Sequence, residues 1–277
     1  MHPGLTRTLR LLGLLEAGRR AELKLRMRQP RALPGAVILG AQKCGTSSLH
    51  NYLTQHPGVV APLRKEVHYF DVNYGRGEAW YRGHFGRQGA PGLNLDSSPY
   101  YLFHPAVPKR MHELLPDARL IVLLRDPARR AYSHYWHERD KGREDLSFES
   151  AIDAEPERLG RSEQLLARGE IEVSREHQLH SYLARGRYAE QLERWLGFYP
   201  RERVHVLRFE DFAQDPLAEL NQTLAFLGLP SATSVSLDAR NTRRYPAMHP
   251  DTMARLRNYF EPHNRRLDAL LGRSMAW

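Results

Sequence analysis

The stretch Val37 to Leu49, V-I-L-G-A-Q-K-C-G-T-S-S-L, constrains the fold more than any other part of the chain. The short apolar run Ala36 to Leu39 leads into glycines at Gly40 and Gly45. Thr46, Ser47 and Ser48 follow, and then an apolar-periodic segment. This order reads as strand, glycine-rich turn and helix N-terminus. Backbone N–H groups and the helix dipole at such a turn make an anion site, usually for phosphate. Lys43 adds a positive charge inside the loop. The nucleoside-triphosphate loop is G-x-x-x-x-G-K-[ST]. Gly40 and Gly45 keep that spacing, but Thr46 stands where the lysine belongs, and the lysine lies two places before Gly45. The strand expected at Arg119 to Leu124 leads into Arg125-Asp126, and no acidic metal-binding strand end is evident. A phosphate loop that needs no Mg²⁺ fits the residues, and so does a plain tight turn with an exposed Lys43.

The second informative element is Arg119 to Leu124, R-L-I-V-L-L, a continuous apolar run typical of a strand buried on both faces of a parallel sheet. It ends in Arg125-Asp126-Pro127. Asp126 is placed to cap a helix that starts at Pro127, with Ser133 about two turns in. In open α/β sheets ligands bind outside the carboxyl ends of the strands. Two phosphate-seeking elements at one sheet edge predict one ligand with two separated phosphates, held by Lys43 to Ser48 and by Arg125 with Ser133.

Gly40 to Ser48, Lys65-Glu66-Val67-His68-Tyr69-Phe70-Asp71, and Arg125-Asp126-Pro127 with Ser133 together resemble the sulfotransferases that use 3′-phosphoadenosine-5′-phosphosulfate. The nearest likeness is to the heparan sulfate 3-O- and N-sulfotransferase domains and their bacterial relatives. It runs with gaps from about Pro34 to the C-terminus and includes Ser98-Pro99-Tyr100-Tyr101, His104-Pro105 and Tyr259 to Asn264. The resemblance implies an α/β, P-loop-like three-layer fold with a central, mainly parallel sheet flanked by helices. It also implies that Lys43, Cys44, Gly45, Thr46, Ser47 and Ser48 hold the 5′-phosphosulfate, and that Arg125 and Ser133 hold the 3′-phosphate. The product would be 3′,5′-diphosphoadenosine, with no metal required. Arg243 or Arg244, in a basic loop, is expected to reach the 3′-phosphate, or the segment is a solvated surface charge cluster.

Sulfuryl transfer needs positioning and charge stabilisation along an in-line path. Lys43 suits the leaving 5′-phosphate. The resemblance puts a catalytic base at Glu66, while His68 is a second candidate, an orienting group, or a hydrogen-bonded core histidine. Alternation along an extended segment would send Glu66, His68 and Phe70 to one side. The heparan sulfate 3-O enzymes carry a lysine where this chain has Ser97, so Lys65 or Arg64 would have to substitute, or the acceptor is less anionic. Asp96 and Tyr101 are further acceptor-side candidates. The expected activity is transfer to a hydroxyl or amine of a carbohydrate or glycolipid. A lipid or small alcohol, a nucleotide kinase and a binding-only protein are the rivals.

A formal charge of +9 favours anionic partners. Scattered arginines without a recognised motif argue against nucleic acid. Cys44 is the sole cysteine. It reads as a space-filler, with nearby positive charge able to lower its pKa and invite incidental thiol modification. None of the 14 histidines has metal-ligand spacing. Residues 1–33 read as a basic helical extension before a domain over 34–277. Met1 to Arg31 carries eight basic and two acidic residues, with leucines at Leu5, Leu9, Leu12 and Leu15. Its apolar run is too short for a membrane span or signal core. It can pack on the domain or lie on an anionic membrane. A cytoplasmic protein, with or without membrane association, is expected. Helices are expected at Pro105 to Leu115, from Ser147, at Tyr188 to Phe198, at Leu217 to Leu227 and at Asp251 to Leu271, the last kinked or broken at Pro262. Short strands are expected at Leu93 to Leu95 and at Val204 to Leu207. Glu163 to Glu176 reads as a mobile lid. Acceptor loops are expected at Tyr74 to Gly92 and Glu155 to Glu176.

Overall fold

The computed structural model describes residues 16–236 and 245–277. Residues 16–26 are helical (α1). The core order that follows is β1 (Ala36–Gly40), α2 (Thr46–Leu53), β2 (Val59–Val60), α3 (Glu78–Arg82), β3 (Leu93–Ser97), α4 (Val107–Leu114), β4 (Arg119–Leu124) and α5 (Pro127–Arg139). A run of short helices comes next: α6 (Phe148–Asp153), α7 (Glu155–Leu159), α8 (Ser162–Arg168) and α9 (Arg175–Leu179). The chain closes with α10 (Tyr188–Leu196), β5 (Val204–Arg208), α11 (Phe209–Gln214), α12 (Pro216–Phe226) and α13 (Pro250–Leu271).

The five strands form one sheet in the order β2-β3-β1-β4-β5, with every pairing parallel. Ala36 to Leu39 and Leu120 to Leu124 are fully buried, as their unbroken apolar runs require. Burying each of these larger aliphatic side chains stabilises the fold by roughly 1.5–3 kcal/mol. β1 lies between β3 and β4, and the connection from β3 to β4 passes over it. The carboxyl end of β1 is therefore the switch point at which a sheet of this kind opens a crevice. Both phosphate-seeking elements leave the sheet there.

Three segments differ in shape from what their sequence suggests. Helix α13 runs unbroken for 22 residues through Pro262. Leu256, Phe260 and Leu267 are buried on both sides of that proline, so packing holds the helix across the one missing N–H. Glu163 to Glu176 is largely ordered by helices and contacts. It holds α8 and the start of α9, with Leu166 buried and Glu163 paired to Arg194 at 2.5 Å. Tyr74 to Gly92 contains α3 and sends Tyr81 and Phe85 into the core.

At the N-terminus, residues 16–22 of α1 stand exposed. The helix touches the domain from Leu23 onward, where Arg26 Nη2 donates to Phe85 O at 2.6 Å. No described helix is long and apolar enough to cross a membrane.

Candidate active site

Above the carboxyl ends of β1 and β4 lies a cleft of about 840 Å³. Lys43, Gly45, Thr46, Ser47, Ser48, Glu66, His68, Arg125 and Ser133 all line it. These nine residues come from four separate stretches of sequence, and the fold brings them to one wall.

The first loop is shaped by its backbone. Ala41 N–H donates to Leu123 O at 2.8 Å, tying the loop to β4. Lys43 and Gly45 both adopt left-handed φ values, 72° and 88°. A Cβ at Gly45 would lie 2.9 Å from the Phe209 ring, so glycine is required both for conformation and for space. Gly45 opens α2, and no side chain caps that helix. Its N-terminal dipole is thus directed at the cleft, as an anion site needs.

The helix start of the second element forms as its sequence implied. Asp126 caps α5 by accepting from Ala128 N–H at 2.8 Å and Arg129 N–H at 3.1 Å. Ser133 follows on the inward face. Arg125 Nη1 donates to Lys43 O at 3.4 Å, and its guanidinium sits 4.9 Å from the Phe209 ring centre. The two elements are therefore in contact across the β1–β4 boundary. Phe209, Phe212 and Pro216 give the same cleft an apolar wall.

Cys44 is fully buried, with Sγ 3.9 Å from Tyr188 Oη. It fills space as expected, but it does not face the cleft. Burial raises its pKa to about 11, against the opposing pull of Arg130 and Arg125. The expectation of a lowered pKa is overturned, since desolvation of the thiolate outweighs the neighbouring cations. At pH 8 iodoacetamide is therefore expected to label native protein at least ~100-fold more slowly than a free cysteine. Mass spectrometry of timed samples would show this, and rapid native labelling would contradict it.

Glu66 and His68 meet by a different geometry from the one expected. Their φ values are 60° and 54°, so the segment is not extended. Glu66 N–H donates to Ser97 O at 3.1 Å and His68 N–H to Ser98 Oγ at 3.0 Å, which pins the segment to the end of β3. Phe70 turns away into the core. The side chains form a continuous chain of charges. Asp71 Oδ2 lies 2.7 Å from His68 Nδ1, and His68 Nε2 is 3.7 Å from Glu66 Oε2. Glu66 Oε1 is 2.6 Å from Lys65 Nζ, which donates to Ser47 Oγ at 3.1 Å.

Burial alone would lower the pKa of His68, but Asp71 and then Glu66 raise it to about 10. Burial would raise that of Glu66, but His68 and Lys65 bring it down to about 2. At neutral pH the arrangement is therefore carboxylate beside imidazolium. Stability from a raised histidine is full below its ordinary value of 6.5 and is lost as pH rises through about 10. The melting temperature of the wild type is expected to fall across that window more steeply than that of His68→Asn. Parallel curves would rule out the pairing.

Asp96 and Tyr101 are structural, not part of the acceptor side. Both are fully buried, and Asp96 Oδ2 accepts from Tyr81 Oη at 3.0 Å and Tyr101 Oη at 3.2 Å. No cleft-lining residue falls within 74–92 or 155–176. His137, Lys141, Arg143, Gln178 and Leu179 form that part of the wall instead. Arg243 and Arg244 lie outside the described residues.

Two residues that contact the site's side chains carry no sequence signal of doing so. Asp71 was inside a quoted motif, but only folding shows it locked to His68. Arg185 is buried, hydrogen-bonds Gln42 of the first loop and packs 5.0 Å from the Tyr100 ring centre. Burial lowers its pKa to about 10. Nothing in Arg185-Gly186-Arg187 marks which arginine turns inward. Among the described residues, no group of three His, Cys, Asp or Glu side chains could hold a metal ion.

Comparison with known proteins places the chain in a family. The sequence model of the sulfotransferase domain matches residues 33–267. The crystal structure of a sulfotransferase from Alicyclobacillus acidocaldarius is 34% identical with a TM-score of 0.74, covering 88% of this chain and 97% of that one. Heparan sulfate glucosamine 3-O-sulfotransferase 5 of Homo sapiens is 28% identical over 88% of this chain and 74% of its own length. The membrane-associated sulfotransferase kil1 of Dictyostelium discoideum is 28% identical over 88% of this chain. The chain spans 66% of that relative's length, and 26% of a bifunctional heparan sulfate N-deacetylase/N-sulfotransferase of Drosophila melanogaster. The chain belongs to the sulfotransferase domain family.

Proposed function

We propose that this protein transfers a sulfuryl group from 3′-phosphoadenosine-5′-phosphosulfate to a hydroxyl or amine of a carbohydrate, with Glu66 as base. The observation that carries the reading is the contact between the Glu66 carboxylate, Lys65 and Ser47 of the anion loop. It puts a proton acceptor directly against the place where the donor's phosphosulfate would be held. The donor fits the cleft's chemistry. The uncapped start of α2 and Lys43 suit one phosphate, Arg125 and Ser133 suit the other, and Phe209 with Phe212 offers a face for the base.

In the transfer, an acceptor O–H gives its proton to Glu66 as the oxygen forms a bond to sulfur. The bond from sulfur to the bridging oxygen breaks, and its electron pair stays with the 5′-phosphate. Lys43 and the α2 N-terminus stabilise the charge that gathers there. His68 does not fit the base role. With a pKa raised to about 10 it is already protonated at neutral pH and has no lone pair to offer. It holds Glu66 in place, and Asp71 holds it.

A carbohydrate acceptor is supported by the names of the human and Drosophila relatives. A kinase reading is disfavoured by Thr46 at the lysine position of the nucleoside-triphosphate loop and by Arg125 after β4. Incubation with ³⁵S-labelled donor and a panel of glycans, glycolipids and small alcohols tests the proposal. Label on a glycan is the expected result, and label only on a lipid or alcohol would replace the acceptor. Peripheral contact with anionic membranes is also proposed, from basic α1 with exposed Leu25, from exposed Met27 just after it, and from the Dictyostelium relative's name. Failure to co-sediment with phosphatidylserine vesicles would dismiss it.

A further inference from the structure

Lys65 occupies a position where its charge matters twice. Its Nζ lies 2.6 Å from Glu66 Oε1 and 3.1 Å from Ser47 Oγ, so one ammonium joins the carboxylate to the first turn of α2. A carboxylate held this closely is a poor proton acceptor, because the ammonium favours its charged form and occupies one of its oxygens. The proposed base is therefore restrained in the protein as it stands. The ammonium that restrains it already touches a hydroxyl of the loop that would hold the transferring group.

The groups facing Glu66 differ in their freedom to move. His68 is fixed on one side by Asp71 at 2.7 Å and through its backbone by Ser98. His50, on α2, feels the charges of both Lys65 and Glu66. Burial first, and then Lys65, lowers its pKa to about 4, so it stays neutral. Lys65 sits on a long, flexible stem that is 27% exposed, with its second partner within hydrogen-bond distance. Ser97 leaves the neighbouring end of β3 without a positive charge, so Lys65 has no close competitor there.

We propose that Lys65 is a catalytic cation that changes partner during turnover, clamping Glu66 before the donor arrives and moving onto the donor's sulfonate oxygens once it is bound. This rests on the phosphosulfate reading above. Donor binding then does two things with one side chain. It frees Glu66 to accept the acceptor's proton, and it places a positive charge on the group in flight. After transfer the sulfated product leaves, Lys65 returns to Glu66, and the carboxyl proton is released to solvent. Base strength follows donor occupancy, and an acceptor that arrives first meets a weak base.

The test reads Glu66 directly and needs no acceptor. Protein with ¹³C-labelled glutamate carboxyls is titrated by NMR, with Glu66→Gln identifying the resonance. The wild type is measured alone, with 3′,5′-diphosphoadenosine, and with the phosphosulfate donor. The titration midpoint is expected to rise with the donor, and to rise less with the diphosphonucleotide, which lacks the sulfonate. In Lys65→Met the midpoint is expected to be raised already without ligand and to move no further with donor. Calorimetry with the diphosphonucleotide shows that this variant keeps its folded donor site. Donor binding to the wild type with no change in midpoint would overturn the proposal for Lys65 alone, as would a Lys65→Met titration matching the wild type. Binding of neither nucleotide would overturn the donor reading and this proposal with it.

Discussion

Glu66→Gln is expected to lower the rate of sulfuryl transfer by about 10²–10⁴-fold while leaving affinity for 3′,5′-diphosphoadenosine unchanged. The amide keeps the shape of the carboxylate and can still meet Lys65 and His68, but it cannot take the acceptor's proton. The loss should fall on kcat more than on KM, because the interaction removed belongs to the transition state. The backbone that presents residue 66 is set by its bond to Ser97 and by the neighbouring bond from His68 to Ser98, which the substitution does not touch. Single-turnover measurement with labelled donor separates the chemical step from binding. Near-normal turnover in this variant would remove Glu66 from the mechanism and leave the charge chain from Asp71 to Ser47 without a catalytic purpose.

Lys43→Ala is expected to reduce kcat/KM by about 10²–10³-fold, the range seen when one group stabilising transition-state charge is removed. Lys43 lies in the loop between β1 and α2, with a left-handed backbone, and lines the cleft. Alanine tolerates that backbone poorly, so part of any loss could come from a rearranged loop. Lys43→Asn separates the causes, since asparagine accepts the left-handed conformation but carries no charge. Both variants should bind the diphosphonucleotide more weakly than Glu66→Gln does, and both should transfer slowly. A Lys43→Asn variant with wild-type turnover would show that the loop's shape matters and its charge does not.

Much of the fold was legible because its signals are local. A continuous apolar run such as Arg119 to Leu124 can only be satisfied by a strand covered on both faces, and Asp126-Pro127 announces the helix after it. The glycine spacing at Gly40 and Gly45 was equally readable, since the left-handed turn it serves is set by the backbone of a few residues. The base region was legible as a set of residues but not as a shape. Glu66 and His68 are held at positive φ by bonds to Ser97 and Ser98, some thirty positions away, which no local pattern predicts. Asp71 and Arg185 were missed for the same reason, since their roles arise from tertiary contact. Pro262 erred in the opposite direction. A strong local signal for a break was overridden by buried residues on both flanks. The pKa of Cys44 also depends on burial, and the sequence showed only the neighbouring charges.

The cleft is expected to hold a nucleotide with two separated phosphates, one at the start of α2 and one at Arg125 and Ser133. Isothermal titration calorimetry measures this most directly, comparing 3′,5′-diphosphoadenosine in the presence of a chelator with ATP in the presence of Mg²⁺. Tight one-to-one binding of the diphosphonucleotide without metal, weakened by Arg125→Ala, is the predicted result. Preference for ATP with Mg²⁺, or no binding of the diphosphonucleotide, would contradict it.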